Sequence, residues 1–572
     1  MAELEAQIRK LKKNNLGLVF EDKQEDVVEQ SKTQVPVLKE VIENRLDLDE
    51  AYPNNLMIEG DNYLALSVLN YTHKKSIDLI YIDPPYNTGS HDFIYNDKYV
   101  DLDDGFRHSK WLSFMYNRLR LAKDLLKDDG LIFISIDDNE QAHLRVLCDK
   151  IFGEENFVFQ FVIDKTAQGA NQSATFKQTH EYCLLYTKGT QDKINSDTDT
   201  ETDNKKYKFR DERGLYAITN AFDSINSPLS ANKNRGYTVY YNEKIGDAQI
   251  RDEYDREKGI FGNFDQGLVK KGYTPIRPGT RKGIQYPWNW VSTRFLSDYK
   301  KDLVFMKNRK GKLGIYHKNR ATGKTKDTTL KRFDTRNFGN QMLVDILGEK
   351  KFDYPKSLDM MKWVISKHNN ASATVLDFFA GSGTTGHAVL EMNKIDGGNR
   401  KFILCTNNEN NNGGNGGIAE SVCYPRIKAV INGYKNKKSE KVVGIPSNLF
   451  YYQTDLVDIE QIHKVPDEAK IRITYEAGEM IAVREDALNE VEKNDWWQIF
   501  EGKGRLVAIY FKEDKAKLAE LIAKLEKKNL PTALYIFSWG KNEYKGEYSS
   551  ANIRVEDIPE PIIEVYKEIN RI

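Results

Sequence analysis

The stretch that decides the fold class of this 572-residue chain is Ile77-Asp78-Leu79-Ile80-Tyr81-Ile82-Asp83-Pro84-Pro85-Tyr86. Residues 77–82 are apolar apart from one aspartate, which is typical of a strand buried on both faces of a parallel sheet. A second apolar run, Val375-Leu376-Asp377-Phe378, leads into Phe379-Ala380-Gly381-Ser382-Gly383. Because open α/β sheets bind ligands at the carboxyl ends of their strands, we expect one site to contain both motifs.

Strand and helix patterns alternate in two separated blocks. In the first block, about 56–159, a helical pattern at 110–127 precedes a strand at 131–136. The second block covers about 358–434 and contains the glycine-rich motif. Neither block alone has enough strands for a doubly wound sheet. The sequence therefore predicts one Rossmann-like α/β sheet that is interrupted by an inserted domain.

The predicted organisation has five segments. These are an N-terminal helical extension (1–50), the first part of the sheet domain (51–162), the inserted domain (163–348), the second part of the sheet domain (349–448) and a C-terminal α+β domain (449–572). The formal net charge is zero, but residues 266–336 contain 19 Lys or Arg against 4 Asp or Glu. Residues 451–500, in contrast, contain 12 acids against 5 bases. A basic block of this kind indicates a nucleic-acid-facing surface in the inserted domain, whereas the acidic block indicates a surface that faces water or protein.

Composition also excludes several classes of protein. The four cysteines show no zinc-binding spacing, so we expect free thiols in a reducing compartment and no metal site. Residues 1–13 are charged throughout and lack the apolar core of a signal peptide. No stretch approaches the ~20 apolar residues of a membrane helix. We therefore expect a soluble cytoplasmic protein.

The Asp83–Tyr86 motif fits the methylation of an exocyclic amino group on a nucleic acid base. The lone pair of such a nitrogen is delocalised into the ring, and accepting hydrogen bonds from its N–H groups localises that lone pair. The Asp83 carboxylate and the Pro84 carbonyl are acceptors of this kind. Tyr86 can stack on a base that has left the double helix. The alternative is a rigid strand-to-loop turn without chemistry.

The glycine turn is less specific by itself. Residues 381–386 bring the backbone close to an adenosyl cofactor, but they also match the G-x-G-x-x-G dinucleotide fingerprint. From these residues alone, a nicotinamide-dependent (NAD) oxidoreductase stays open. Glu409 follows a strand at 402–405, where it can accept hydrogen bonds from ribose hydroxyls. A solvated loop acid is the alternative interpretation of Glu409.

The order of the two motifs resembles the β class of amino-methylating DNA methyltransferases. Longer stretches are similar to the modification (Mod) subunits of Type III restriction–modification systems. These stretches are 17–23, 59–66, 81–89 (YIDPPYNTG), 180–182, 352–356, 377–385 (DFFAGSGTT) and 400–410. The resemblance covers most of residues 17–435 and implies a Rossmann-like methyltransferase sheet that uses S-adenosylmethionine.

The resemblance also implies roles for individual residues. The implied catalytic residues are Asp83, Pro84, Pro85 and Tyr86. The implied cofactor-binding residues are Asp61, Phe352, Pro355, Lys356, Asp377, Phe379, Gly381, Gly383 and Glu409. The family often has a proline after the lysine at 356, whereas this chain has Ser357. Asp61 is interpreted equally well as the cap of the helix that follows it.

The implied reaction is sequence-specific N6 methylation of a flipped-out adenine in double-stranded DNA. An aspartate before the two prolines favours adenine N6, whereas N4-cytosine enzymes of the family usually have serine there. The inserted domain then becomes a target-recognition domain. Its candidate DNA contacts are Arg277, Arg281, Lys282, Trp288, Arg309, Lys312 and Arg320. Cation–aromatic packing is the alternative to DNA contact for part of this basic block.

The family further implies a homodimer and a helicase–endonuclease (Res) partner. Three other interpretations stay open at this point besides the oxidoreductase. They are a standalone DNA methyltransferase without a nuclease partner, an N4-cytosine-specific enzyme, and a DNA-binding subunit without catalytic activity.

Overall fold

A computed structural model describes most of the chain. The described residues are 20–89, 92–164, 178–195, 197–199, 207–308, 311–320, 324–333, 339–408, 417–540, 544, 547–548 and 550–571. The chain divides into two compact units, one formed by 1–195 with 328–572 and the other by 196–327.

The first unit is built on a ten-stranded mixed sheet. Its strands are β1 (Gln34–Glu40), β2 (Asn54–Glu59), β3 (Ile77–Ile82), β4 (Leu126–Ile136), β5 (Phe157–Asp164), β6 (His180–Thr187), β7 (Leu330–Arg332), β8 (Thr374–Asp377), β9 (Lys401–Thr406) and β10 (Asn448–Asp458). They lie in the order β1-β10-β2-β9-β8-β3-β4-β6-β5-β7. The segment from β10 to β4 is parallel, and β6 is antiparallel to both of its neighbours. This arrangement confirms the predicted α/β sheet.

The helices of the first unit pack on the two faces of this sheet and on a smaller C-terminal sheet described below. They are α1 (Asp26–Gln30), α2 (Asn62–Thr72), α3 (Arg107–Leu125), α4 (Gln141–Phe152), α5 (Gly339–Leu347), α6 (Leu358–Ser366), α7 (Thr384–Asp396), α8 (Tyr424–Asn432), α9 (Asp467–Glu476), α10 (Gly478–Glu485), α11 (Lys515–Lys528) and α12 (Glu560–Asn570). Apolar side chains from successive strand positions point to opposite faces and form two separate cores. Ile80 and Ile82 belong to one core, and Leu79 and Tyr81 belong to the other.

The aspartate inside β3 links three neighbouring strands. Asp78 is only 3% exposed. It accepts hydrogen bonds from Lys127 Nζ at 2.8 and 2.9 Å and from the Thr374 backbone N–H at 2.9 Å. These donors compensate for the burial of its charge, and they explain how an acid fits in an otherwise apolar strand.

Three of the predicted segment boundaries differ from the structure. The N-terminal extension is not only helical, because β1 lies within it; residues 1–19 lie outside the described part. The predicted insertion, 163–348, is too wide. β6, β7 and α5 belong to the sheet unit, and the second compact unit covers only 196–327.

The C-terminal segment differs from its prediction in a similar way. β10 pairs with β1 and β2 in the main sheet. The remaining tail forms a five-stranded sheet from β11 (Asn489–Lys493), β12 (Trp497–Gly502), β13 (Arg505–Tyr510), β14 (Thr532–Phe537) and β15 (Ile553–Ile558). Its buried side chains, including Ile509 and Ile563, join the same core as Ile80. The tail is therefore α+β, as predicted, but it shares a core with the main sheet.

The second compact unit is rich in β structure. Its strands are Asp197–Asp199, Phe209–Asp211, Gly214–Ala221, Thr238–Asn242, Asp247–Arg251, Tyr254–Asp255, Ile260–Phe261, Thr274–Ile276, Thr280–Arg281, Ile284–Gln285, Leu303–Lys307, Leu313–Arg320 and Lys324–Lys326. Its helices are Gln266–Lys270 and Ser292–Asp302. Aromatic rings around Phe222, Trp288 and Phe295 form its core. Among all the described residues of the chain, no helix is long and apolar enough to cross a membrane.

Candidate active site

The glycine turn lies at the carboxyl end of β8, as predicted. Gly381 and Gly383 have φ values of +49° and +75°, a left-handed conformation that side chains with a Cβ adopt at a cost. A Cβ on Gly383 would lie 3.0 Å from Cys423 Sγ, and one on Gly381 would lie 3.3 Å from the Phe352 ring. The turn therefore needs glycine both for its backbone conformation and for its close neighbours.

A buried arginine donates hydrogen bonds to this turn. Arg426, on α8, donates to the Ser382 carbonyl at 3.2 Å and to the Thr384 hydroxyl at 2.7 Å. Its side chain is fully buried, and no described carboxylate forms an ion pair with it. Burial lowers the pKa of Arg426 to about 10. The turn is thus held by a cation whose described hydrogen bonds go to oxygens of Ser382 and Thr384 and to the His387 ring.

The Asp83–Tyr86 turn lies at the carboxyl end of the adjacent strand, β3. Trp111, on α3, donates its indole N–H to the Pro85 carbonyl at 2.7 Å. Asn87 follows the turn with φ +59°, and it donates to the buried carboxylate of Glu140 at 2.6 Å. These bonds fix the C-terminal half of the turn. Among described residues, the Pro84 carbonyl receives no hydrogen bond.

Four polar side chains meet beside this turn. Tyr86 donates its hydroxyl hydrogen to Asp83 Oδ1 at 2.8 Å. Lys356 Nζ lies 2.7 Å from the Tyr86 hydroxyl oxygen and 3.0 Å from Asp83 Oδ1. It also lies 3.0 Å from both carboxylate oxygens of Glu181. We call Asp83, Tyr86, Glu181 and Lys356 the polar cluster.

The charges of the polar cluster determine its protonation. Burial by itself would lower the pKa of Lys356, but the carboxylates of Asp83 and Glu181 outweigh it, so the net shift is upward. Burial, with the charges of Asp83 and Glu181, raises the pKa of Tyr86 well above its usual value. Lys356 therefore stays an ammonium and Tyr86 stays protonated near neutral pH. Among the described residues, the Lys356 ammonium lies between the carboxylates of Asp83 and Glu181.

Asp377 lies at the end of β8 and is not a surface acid. It accepts from the Phe379 backbone N–H at 3.0 Å and lies 2.5 Å from the Thr385 hydroxyl. Its side chain is buried, and burial raises the pKa of Asp377 to about 7. Both of these hydrogen bonds join Asp377 to residues of the glycine turn. The Asp377 carboxyl therefore stabilises the turn at the point where it leaves β8.

The remaining predicted cofactor residues lie around the same strand ends. Asp61 caps α2 by accepting from the Tyr63 N–H at 2.7 Å, which confirms the cap interpretation, and its side chain is 41% exposed. Phe379 packs with Phe114 at 5.9 Å between ring centroids. The carbonyl of Pro355 faces Gly339 at the start of α5, where a Cβ would approach it to 2.2 Å. Glu409 lies outside the described residues.

These positions fit S-adenosylmethionine. Gly381 and Gly383 have positive φ angles and no Cβ atom, so only backbone atoms stand at these two positions at the end of β8. The Phe352 ring lies beside Gly381. The half-exposed carboxylate of Asp61 lies two strands away, on the loop after β2, with β9 between β2 and β8. The turn can hold the adenosyl part, and Asp61 can accept hydrogen bonds from it.

Sequence reasoning missed Glu181, Trp111, Glu140 and Arg426. A usable signal existed for Glu181, because it is a single acid in the otherwise apolar strand β6.

His108 and His143 each have Nδ1 within hydrogen-bonding distance of the Glu140 carboxylate, at 2.6 and 2.8 Å. Among the described residues, these three side chains form the one group compact enough to hold a metal ion. Their direct hydrogen bonds account for the grouping.

The candidate DNA contacts in the second unit have different environments. Trp288 is 3% exposed and donates to the Tyr237 carbonyl at 2.8 Å, so it is a core residue and its interpretation as a DNA contact is wrong. Arg277 pairs with Glu253 at 2.8 Å and stacks 4.0 Å from the Phe264 ring. For Arg277, the cation–aromatic alternative applies.

Arg320 is also held inside the unit, by Asp211 at 2.6 Å. Arg281 pairs with Asp223 at 2.9 Å but keeps 43% of its side chain exposed. Lys282 and Lys312 are exposed, and Arg309 lies outside the described residues. Arg281, Lys282 and Lys312 are therefore the described candidates that present charge to solvent.

Comparison with known proteins gives a family match. Residues 77–411 match the N6_N4_Mtase family model, described as DNA methylase. The Type II methyltransferase M.KpnI of Klebsiella pneumoniae is 36% identical over 61% of this chain and 79% of that enzyme. The Type III restriction-modification enzyme EcoPI Mod subunit of Escherichia phage P1 is 31% identical over 62% of this chain and 58% of that subunit.

Two limits apply to these matches. The chain spans little more than half the length of the Mod subunits that it matches. Among solved structures, the M1.HpyAVI–SAM complex aligns at 13% identity and a TM-score of 0.29, over 65% of this chain and 98% of that one. The fold assignment is based on the strand order of the ten-stranded sheet.

Proposed function

This chain belongs to the DNA methylase family that its residues 77–411 match, and from that premise we propose that it methylates the N6 amino group of adenine in double-stranded DNA. S-adenosylmethionine, when bound, supplies an electrophilic methyl group on its sulfonium sulfur. The glycine turn, with Phe352 and Asp61, is the proposed holder of that cofactor. The Asp83–Tyr86 turn on the next strand is the proposed holder of the base.

One observation carries the proposal: two hydrogen-bond acceptors at the β3 end remain available beside the glycine turn. Tyr86 and Lys356 both approach Asp83 Oδ1, and no described residue donates to Oδ2. The Pro85 carbonyl is occupied by Trp111, which leaves the Pro84 carbonyl as the second acceptor. An amino group has two N–H donors, and these acceptors match them.

The reaction then follows from positioning and charge. With both N–H groups donating, the lone pair of the nitrogen points away from the ring and attacks the methyl carbon as the carbon–sulfur bond breaks. The nitrogen becomes positively charged and loses one proton to solvent. The Asp83 carboxylate, which accepts one of its N–H groups, stabilises that developing positive charge. Tyr86, whose hydroxyl is fixed at three points, presents its ring for stacking on the flipped base.

Adenine is favoured over cytosine by the residue at position 83. The resemblance associates aspartate before the two prolines with adenine N6. We further propose that the chain is the modification and recognition subunit of a Type III restriction–modification system. The 31% identity to the EcoPI Mod subunit supports this assignment. In that setting it works in the cytoplasm as a homodimer, together with a helicase–endonuclease partner.

A second candidate function has specific support. The M.KpnI relative is a Type II methyltransferase and is matched over 79% of its length, which favours a standalone modification enzyme. The two candidates share the reaction and differ in the partner. Co-purification with a helicase–endonuclease subunit from the same operon supports the Type III assignment. A chain that methylates fully and never retains such a subunit supports the standalone assignment.

The reaction itself is tested with purified protein, unmethylated DNA and S-adenosylmethionine that has a labelled methyl group. Digestion to nucleosides, followed by mass spectrometry, identifies the product. We expect N6-methyladenine from the native chain and none from the Asp83→Ala variant. Labelled N4-methylcytosine as the sole product would overturn the adenine assignment. An absence of any labelled nucleoside would contradict the proposed function.

A further inference from the structure

Glu181 lies in the polar cluster, yet neither sequence motif contains it. It is on β6, between β4 and β5 in the main sheet, and only 3% of its surface is exposed. Both of its carboxylate oxygens lie 3.0 Å from Lys356 Nζ, and Oε2 also lies 3.2 Å from the Tyr86 hydroxyl oxygen. A carboxylate this deeply buried is stable only when charge-paired and hydrogen-bonded.

We propose that Glu181 is a positioning residue for methyl transfer: it anchors the ammonium of Lys356 so that the Asp83 carboxylate keeps an oxygen available for the amino group of the target base. The inference rests on the proposed function and deepens it. Glu181 acts through Lys356 and Tyr86.

The argument begins with competition for Asp83. An ammonium has three N–H donors and no acceptor. In the structure, Lys356 divides them among Tyr86, Glu181 and Asp83 Oδ1. If Glu181 were neutral, Asp83 would be the one carboxylate left in the cluster. Lys356 would then pair with it fully and compete with the amino group for the same oxygens.

The loss of Lys356 has the opposite effect. Without the ammonium, the carboxylates of Asp83 and Glu181 would both lie beside the Tyr86 hydroxyl and would lose the cation that they share. Two carboxylates that share one hydrogen-bonded neighbour repel each other, and this repulsion favours uptake of a proton by one of them. A protonated Asp83 would lose acceptor capacity. Each single change therefore disturbs Asp83, whereas the removal of both charges leaves Asp83 with its hydrogen bond from Tyr86.

This reasoning predicts a non-additive pair of substitutions. We expect Glu181→Gln to lower kcat by about 100-fold, the lower end of the range for the loss of one preorganised electrostatic contact, because Glu181 acts through Lys356 and Tyr86. The KM for S-adenosylmethionine should stay within about twofold, because Glu181 has no contact with the glycine turn. The double variant E181Q/K356M should be more active than E181Q.

The matched control is Asp78→Asn. Asp78 is an equally buried acid in the same sheet, it pairs with a lysine, and it belongs to no part of the site. The Asp78→Asn substitution should lower the melting temperature and leave kcat and KM close to native values. A purely structural role for Glu181 would give the same pattern in E181Q, with additive losses in the double variant.

The outcomes are separable. Methylation of DNA by the native chain tests the proposed function, and its absence would overturn that function before any variant is considered. Given an active native chain, native-like kcat in E181Q would overturn the role of Glu181. So would a double variant no more active than E181Q. Cooperative thermal unfolding and calorimetric binding of S-adenosylmethionine by E181Q show that the variant is folded.

Discussion

Trp111 donates its indole N–H to the carbonyl oxygen of Pro85 at 2.7 Å. The bond joins α3 to the turn that follows β3, and the indole is fully buried. It has two consequences. The bond fixes the orientation of the Pro85–Tyr86 peptide, and it removes the Pro85 carbonyl from the acceptors available to a base. The Pro84 carbonyl is thereby selected as the partner of Asp83.

Trp111→Phe tests this bond. Phenylalanine fills most of the same space but leaves the Pro85 carbonyl without its donor, and an unsatisfied buried acceptor costs about 1–3 kcal/mol. We expect a fall of about tenfold in kcat as the turn loses its fixed orientation, with little change in binding of S-adenosylmethionine. Single-turnover methylation and calorimetry measure the two effects. Unchanged single-turnover rates would show that the bond does not orient the turn.

Gly383→Ala tests the glycine turn, with Gly397→Ala as a matched control. Both glycines flank α7 with similar φ angles, +75° and +70°. Only Gly383 has a close neighbour, because a Cβ there lies 3.0 Å from Cys423 Sγ, whereas a Cβ on Gly397 meets nothing within 4 Å. Both variants pay the cost of a left-handed backbone, about 1 kcal/mol.

We therefore expect G383A to lose more stability than G397A and also to bind S-adenosylmethionine more weakly. Thermal unfolding and cofactor titration of the two variants give the comparison. Equal affinity for the cofactor in both variants would contradict the assignment of the turn to the cofactor.

Asp377→Asn tests the buried carboxyl. In the folded chain the pKa of Asp377 is raised to about 7, against an ordinary value of 3.8. Between these two values the folded chain binds a proton that the unfolded chain has released. Stability from this group is therefore fully present below about pH 4 and is lost as the pH rises to 7. Asparagine has no proton to lose and preserves both contacts.

The free energy of unfolding of D377N, relative to the native chain, should thus increase from pH 4 to pH 7 and then level off. The steepest expected slope is about 1.4 kcal/mol per pH unit. Urea denaturation across this range measures it. A difference between the two proteins that does not vary with pH would contradict a raised pKa.

Arg426→Met tests the cation beneath the glycine turn. Methionine keeps most of the volume of the side chain but removes its bonds to Ser382 and Thr384. Because the buried charge has no described carboxylate partner, we expect stability to change by less than about 1 kcal/mol. Affinity for S-adenosylmethionine should fall by about tenfold as the turn loosens. A large loss of stability with unchanged affinity would mean that Arg426 supports the fold rather than the turn.

Much of the site was predictable because it is local in sequence. The 77–82 strand is as predicted, and the helix predicted at 110–127 is found at Arg107–Leu125, since the periodicity of apolar residues is a short-range signal. The partners of those motifs were not predictable. Glu181 and Lys356 reach Tyr86 across long sequence separations. Periodicity does not reveal such pairings.

The errors have a similar cause. The sequence of β10 follows the last α/β pattern, and this position predicts that β10 belongs to a separate C-terminal domain. Its pairing with β1 and β2 depends on backbone hydrogen bonds that no local motif marks. Trp288 was taken for a DNA contact because it lies among basic residues. Its burial against Phe222 and Tyr237 became apparent only from the tertiary fold.

The central claim is that Asp83 accepts a hydrogen bond from the amino group of a specific adenine. Its most direct test is single-molecule sequencing of genomic DNA from cells that express the native chain or Asp83→Ala. The native chain should produce N6-methyladenine at one recurring sequence, and Asp83→Ala should produce none while still binding S-adenosylmethionine. Unchanged adenine methylation in Asp83→Ala, or N4-methylcytosine alone in cells with the native chain, would contradict this account.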